Sequence, residues 1–354
     1  MKGHGRSGGR PTLEEVALRA GVGRGTVSRV VNGSPGVSAR TRAVVEAAVT
    51  ELGYVPNRAA RALAANRTDA GRPSAGRADA IALVVPDPGG PLFPGGWFAE
   101  VVRGVGSALA DTDVQLVLAP AGSERERRRL EGYLAGHRVD GVLLLSVGAG
   151  DPLPELPVRL GIPAVIGGRR SAGEALPSVD CDDRAGAAEA VRHLLERGRR
   201  AIAALTGPLD LYGAQGRLEG YRQALADAGH PVDEALISVG DLAEEGGRRA
   251  VRELLERRPA LDAVFAASDV LAAGALRELR AAGRRIPQDV AVVGFGDSEL
   301  ARHLDPPLTS VRQPVEEMGR TMARLLLERI AGKPGGPGER SVVLPAQLVV
   351  RASS

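Results

Sequence analysis

In the stretch RGTVSRVV, Arg24, Gly25, Ser28 and Arg29 fall on one side of a helical projection, opposite Val27, Val30 and Val31. Arginine presents a planar fork of donors that bonds bidentately to guanine, and Ser or Thr hydroxyls reach phosphate oxygens or base edges. That face has the chemistry to read nucleic acid, although an ordinary solvated helix face has a similar composition. A second set of polar and aromatic groups stands further along, beside predicted strands. Asp269 and Asp297 close two apolar runs, and Phe93 and Trp97 follow a third. Carboxylates at strand ends beside aromatic walls can hold a small polar ligand. Asp269 could equally cap the helix that follows it, and either aromatic could be buried against the adjacent helix.

Catalysis has less support. The five histidines are scattered, Cys181 is the single cysteine, and no phosphate loop with Gly-Lys-Ser/Thr occurs. Gly21, Gly23 and Gly25 make a glycine run, but a capped helix precedes it where a dinucleotide turn requires a strand. No enzyme activity, cofactor or metal is expected.

The elements that position the first face are short. Thr12 and Glu15 have capping-box spacing, Leu13, Val16, Ala17 and Ala20 share one face, and Gly21 ends the helix. Gly23 suits the N-cap of the next helix. A third begins at Ser38, carries Val44, Val45, Ala48, Val49 and Leu52 inward, and stops at Gly53. Two short helices joined by a tight turn and buttressed by a third form a helix-turn-helix unit, whose second helix enters the major groove.

Charge agrees with that placement. The 354 residues sum to only +3, yet residues 1–79 hold 13 Lys and Arg against 6 Asp and Glu, so the basic excess is N-terminal. With 44% hydrophobic, 25% charged and 3% aromatic residues, the chain can bury a large aliphatic core. The N-terminal residues lack a signal-peptide pattern, and Pro, Gly or Arg interrupts every apolar run short of a membrane span. A cytoplasmic protein without membrane attachment is expected.

From Ala80 onward apolar runs alternate with amphipathic stretches: AIALVVPD, VQLVLAP, GVLLLS, PAVIGG, AIAALTGP, DAVFAASD and VAVVGFGD are separated by helical patterns. Such alternation means parallel sheets covered on both faces, and the number of strands requires two doubly wound subdomains with a cleft at the strand ends. The expected fold is therefore an all-α helix-turn-helix head followed by an α/β core of two parallel-sheet subdomains.

The run TLEEVALRAGVGRGTVSRVVNGSPGVSARTRAVVEAAVTELGYVPNRAARALA resembles, without gaps, the DNA-binding head of the lactose-repressor (LacI/GalR-type) family. The resemblance continues through VDCDDRAGAAEAVRHLLERG, GRLEGYRQAL, ASDVLAAGAL, IPQDVAVVGFGD and PPLTSVRQPVEEMG, covering nearly the whole chain. It implies a periplasmic-binding-protein-like core and a homodimeric regulator, most often a repressor, on a pseudo-palindromic double-stranded DNA operator. A small-molecule effector, a carbohydrate or related metabolite, would occupy the cleft. The alternative is a sugar-binding protein of the same core fold without regulatory DNA binding.

The resemblance divides the chain into a basic tail (1–11), a helix-turn-helix domain (12–56), a hinge helix (57–66), a flexible linker (67–79) and the effector-binding, dimerising core (80–354). The chain would cross between subdomains near 170–180, 300–310 and 332–340, with residues 310–332 returning to the first subdomain and SVVLPAQLVVR to the second. Arg24, Gly25 and Arg29 would face bases, while Thr26, Ser28, Asn32 and Ser38 hold phosphates, with Thr12 and Asn57 also at the DNA. Leu63 matches the hinge residue that wedges into the minor groove. Arg217 matches a family arginine whose fork would hold vicinal hydroxyls or an anion. Two positions depart from the pattern: Gly296 stands where an effector-binding aspartate is common, with Asp297 one residue away, and Gly168 stands where a polar residue is frequent. The linker also exceeds the usual length, and the chain has no heptad tail for a tetramer, so dimers are expected.

Overall fold

The structure is a computed structural model and describes residues 11–31, 34, 36–54, 78–85, 96–145, 148–332 and 341–354. Two compact units divide the chain, residues 1–78 and 79–354.

In the first unit α1 (Leu13–Ala20), α2 (Arg24–Val31) and α3 (Ala39–Leu52) close around Val16, Ala17, Val27, Val30, Val45, Ala48 and Tyr54. The caps read from the sequence are in place. Thr12 Oγ1 accepts from Glu15 N while a Glu15 carboxylate oxygen accepts from Thr12 N at 2.7 Å. Gly21 ends α1 in the left-handed conformation at φ 64°, and Ser38 Oγ accepts from Thr41 N to start α3. Gly23 O accepts from both Thr26 N and Val27 N, the N-cap position of α2. One inward assignment fails: Val44 is 44% exposed. It precedes the buried Val45 by one residue, about 100° around the helix, and only one of the two can face this narrow core.

The second unit holds two six-stranded sheets. The first is built from β1 (Ala80–Val85), β2 (Gln115–Pro120), β3 (Gly141–Leu145), β4 (Ala164–Gly167), β5 (Ser178–Cys181) and β11 (Ser341–Leu344), in the order β11-β5-β4-β3-β1-β2 and parallel throughout. The second uses β6 (Ile202–Thr206), β7 (Ile237–Val239), β8 (Ala263–Ala266), β9 (Ala291–Gly296), β10 (Thr309–Arg312) and β12 (Gln347–Val349), in the order β12-β10-β9-β8-β6-β7, with β12 alone antiparallel. Strands such as β1 and β3 are buried at every position, as sheets covered on both faces require.

The helices are α4 (Trp97–Leu109), α5 (Glu124–Ala135), α6 (Glu155–Arg159), α7 (Asp183–Glu196), α8 (Tyr212–Asp227), α9 (Glu244–Arg257), α10 (Asp269–Ala281), α11 (Glu299–His303) and α12 (Val315–Ile330). Helix α12 packs on α4 over the first sheet, with Met318, Met322 and Leu326 meeting Val101, Val105 and the β1 and β3 side chains.

The chain passes between sheets at residue 182, at 313–314 and at 345–346, each later than the sequence suggests. The closing SVVLPAQLVVR segment is also divided. SVVL pairs with β5 in the first sheet, and only QLV joins the second. Pro345 lies at the break, where its missing N–H cannot extend a ladder, and Leu344 O already accepts from Asp182 N at 2.9 Å.

Helix pairs meet backbone to backbone. A Cβ on Gly104 of α4 would fall on Glu316 O of α12, and one on Gly319 would fall on Val101 O in return. Gly247 and Gly274 hold α9 and α10 together in the same reciprocal way, against Leu271 O and Glu244 O. Gly106, half a turn from Gly104, faces open space. Gly104→Ala should therefore lower stability by about 1–3 kcal/mol through overpacking. Gly106→Ala should raise it by about 0.4–1 kcal/mol by restricting the unfolded chain. Urea denaturation of the two variants checks both signs, and equal effects would refute the close-contact explanation.

Candidate functional site

Helix α2 offers the face anticipated from sequence. Its inward residues Val27 and Val30 are buried, and Arg24, Gly25 and Arg29 are exposed, with Thr26 and Ser28 half-buried beside them. Arg24 pairs with Glu14 of α1 at 2.9 Å, and Arg29 Nε donates to Gly25 O at 3.3 Å. A side chain at Gly25 would meet nothing within 4 Å. Thr12 and Ser38 spend their hydroxyls on helix caps. Asn32, Asn57 and Leu63, with the hinge segment 57–66 and nearly all of the linker, lie outside the described residues, as does Phe93.

The second unit contains a cavity of ≈ 470 Å³ between its two sheets, at the carboxyl ends of the strands. Trp97, Glu100, Gly168 and Arg169 line it from the first subdomain, and Tyr212, Arg217, Asp269 and Phe295 from the second. At its centre the Arg217 guanidinium lies 4.2 Å from the Phe295 ring centroid. Nε donates to Asp183 Oδ1 at 3.2 Å and Nη1 donates to Ala267 O at 2.8 Å, so the stacked plane is fixed in rotation. Asp183 Oδ1 also accepts from Gln313 Nε2 at 3.0 Å. Burial pushes the Asp183 carboxyl upward, and the Arg217 charge opposes that shift. With part of its fork committed to a carboxylate, Arg217 is suited to sharing a hydroxyl and is no longer an open clamp for an anion.

Across the cleft Arg169 pairs with Asp180 at 3.2 Å and lies 5.1 Å from the Tyr212 ring centroid, linking the two subdomains. Ala149 N donates to Asp210 O at 3.1 Å, a second bridge. Cys181 also lines the cavity, but burial pushes its thiol up to about 12, so it is present as a neutral thiol. Among the described residues no His, Cys, Asp and Glu group could hold a metal, and no helix is long and apolar enough to cross a membrane.

Trp97, Arg217 and Asp269 thus line the cleft, whereas Asp297 does not. Gly296 adopts φ 119° and Asp297 φ 48°, and this backbone turn carries the Asp297 side chain away from the cavity. There it is fully buried between Arg312 at 2.7 Å and Arg351 at 2.5 Å. Asp269 does not cap α10, because Ser268 Oγ takes that place by accepting from Leu271 N. Its oxygens accept instead from Ser310 Oγ at 2.5 Å and from Ser298 N and Oγ at 2.6 and 2.8 Å, binding α10 to β10 and to the loop after β9. Asp183, Phe295 and Gln313 escaped the sequence reading. The signal they share is a position at or just beyond the end of β5, β9 or β10.

Residues 12–57 match the family described as bacterial regulatory proteins, lacI family, and residues 191–354 match a periplasmic binding protein-like domain. The HTH-type transcriptional regulator CelR of Thermobifida fusca is 51% identical over 97% of this chain and 98% of its own length. The HTH-type transcriptional repressor CytR of Escherichia coli is 32% identical over 97% of this chain and 96% of its own. Among solved structures, a transcriptional regulator CelR–cellobiose complex superposes with a TM-score of 0.74 at 50% identity, over 98% of this chain and 100% of that one. The lac repressor dimer bound to operator and the anti-inducer ONPF reaches 0.81 at 27% identity, over 98% and 99%.

The Asp269 cluster has a pH consequence. Burial raises this carboxyl from 3.8 to about 6, so its folded form holds a proton more firmly than the unfolded chain does. The resulting stability is present below the unfolded value and is lost as pH rises from about 4 to about 6. Thermal melts of the wild type and Asp269→Asn should therefore change in relative position across that window, with the wild type losing ground as pH rises. A constant gap from pH 4 to pH 7 would contradict the assignment.

Proposed function

The chain belongs to the LacI family of bacterial regulatory proteins, and from that premise we propose a homodimeric repressor whose effector is a neutral carbohydrate of the β-linked disaccharide class. Membership makes it a DNA-binding transcription regulator and not an enzyme. In the proposed mode, Arg24 and Arg29 of α2 reach base edges in the major groove. Thr12, Thr26, Ser28, Asn32, Ser38 and Asn57 hold the phosphate backbone, and Leu63 wedges the minor groove at the centre of a pseudo-palindromic site. Two-fold symmetry of the dimer is then matched by the operator. A DNA partner supports a cytoplasmic location.

The observation that carries the effector reading is the Arg217 plane, stacked on Phe295 and pinned by Asp183 and Ala267 O, at the centre of a ≈ 470 Å³ cleft with Trp97 in its wall. Fixed planar donors beside aromatic faces suit a sugar, whose rings have apolar faces and hydroxyl-bearing edges. The cellobiose complex of the 50%-identical CelR supports the disaccharide class. Ligand that binds one arrangement of the subdomains better shifts the population toward it and thereby changes operator affinity.

Cellobiose should raise the thermal midpoint of the full chain and change its affinity for a selected operator by about 5–150-fold, the usual range of allosteric coupling. Ribose, a single ring, and maltose, an α-linked disaccharide, should do neither. The direction of the gel-shift change reads induction or corepression directly, and no response to cellobiose or longer β-linked glucans would refute the disaccharide class.

Gly25 leaves base reading to its two arginine neighbours. Gly25→Gln should raise stability by up to about 1 kcal/mol, since glycine is a poor helix former and the site is open. It should also change the preferred operator in a random-sequence selection. An unchanged consensus would show that this part of α2 does not face bases.

A further inference from the structure

We propose that Glu100 makes the cleft selective for unphosphorylated sugars, acting as a free acceptor for ligand hydroxyls and as a fixed negative charge against anionic ligands. The proposal rests on the carbohydrate reading above and adds the residue that sets ligand charge.

Three observations carry it. First, Glu100 and Trp97 lie three residues apart on α4 and both line the cavity, so one helix face offers an aromatic wall and a carboxylate about one turn apart. Second, the Glu100 carboxylate has no hydrogen bond or ion pair among the described residues, unlike the four aspartates of the wall; Glu219, the other glutamate there, is exposed. Asp180 is held by Arg169, Asp183 by Arg217 and Gln313, and Asp269 by two serines. Third, two of the three guanidinium groups that line the cavity are already paired with carboxylates. Arg169 and Arg217 face carboxylates, and Arg184, exposed at the cavity edge, donates to Gln223. Six carboxyl groups line the cavity against three guanidinium groups.

The remaining neighbours do not offset that balance. Arg103 and Arg302 are felt electrostatically at Glu100, but so are Glu316 and Asp297, and burial disfavours its charged form overall. A desolvated acceptor of this kind gains when a sugar hydroxyl donates to it. A phosphate brought to the same place meets the like charge of Glu100 within a lining whose carboxyl groups outnumber its guanidinium groups. The sugar being sensed must then come from an uptake step that leaves its hydroxyls unmodified.

The test compares cellobiose with cellobiose 6′-phosphate by calorimetric titration of the full-length wild type and of Glu100→Gln. The wild type should favour the neutral form by about 100-fold or more. Glu100→Gln, which keeps shape and removes charge, should bind cellobiose about 10-fold more weakly and lower the neutral-to-phosphate ratio by about 10-fold. Its thermal midpoint should stay near that of the wild type, since Glu100 has no hydrogen bond or ion pair among the described residues. Equal affinity for the two forms in the wild type, or an unchanged ratio in Glu100→Gln, overturns the assignment while leaving a carbohydrate effector intact. Failure of either form to bind, with other neutral sugars also silent, overturns the carbohydrate reading itself.

Discussion

One half-buried carboxylate, Asp183, organises the effector-binding core. It begins α7 immediately after the chain leaves the first sheet at residue 182, and it accepts from Gln313, which lies in the second passage between sheets. The same oxygen accepts from Arg217, while the neighbouring Asp182 N bonds Leu344 O beside the third passage. The three connections between subdomains and the central arginine of the cleft therefore meet within a few ångströms. A charge buried in this way is tolerated only with an opposite charge and full hydrogen bonding, so Arg217 keeps its place because Asp183 needs it.

The rest of the core makes that fixed point effective by being stiff. In the pairs α4–α12 and α9–α10 a glycine on each helix lets the backbones touch, and side chains interdigitate only above and below the contact. Such pairs move as units, because sliding would drive a carbonyl oxygen into the opposing backbone. Helix α4 carries Trp97 and Glu100, and α12 begins just after the second passage, contributing Val315 and Met318 to the cleft. A change of angle between the sheets therefore carries the aromatic wall with it as a rigid piece, and flexible adjustment is confined to the passages.

How far the sequence disclosed this follows from which signals are local. The head was legible almost residue by residue, since capping boxes, left-handed glycines and a 3.6-residue period act over a few positions. Even there Val44 was misassigned, because a run of two valines does not reveal which one the core accepts. The α/β core was legible from its continuous apolar strands and Trp97 from its place beside a strand, whereas Arg217 was legible only through the family resemblance. Asp297 was misread because its side chain depends on the backbone turn at Gly296, where φ is 119°, and a turn of that kind reverses the facing of the next residue. Asp183 pairs with Gln313 across 130 positions and Phe295 meets Arg217 across 78, and no local pattern encodes such contacts. The division of the final segment between two sheets was hidden for the same reason, since both halves look like strands and only the proline separates them.

The division of the cleft between subdomains bears on what kind of ligand can regulate the protein. Trp97, Glu100 and Arg169 belong to the first subdomain, and Arg217, Phe295 and Tyr212 to the second. A ligand confined to either group would bind both arrangements of the sheets equally, and equal affinity shifts no equilibrium however tight the binding. Only a molecule long enough to touch both groups at once gains or loses contacts as the sheets turn. Two linked sugar rings, the ligand class proposed above, would meet that condition. The Arg169–Tyr212 stack already spans the same gap, so closure depends only in part on the ligand. Such a bridge narrows the free-energy difference that the ligand must supply, and a modest differential affinity is then sufficient to change the state of the core.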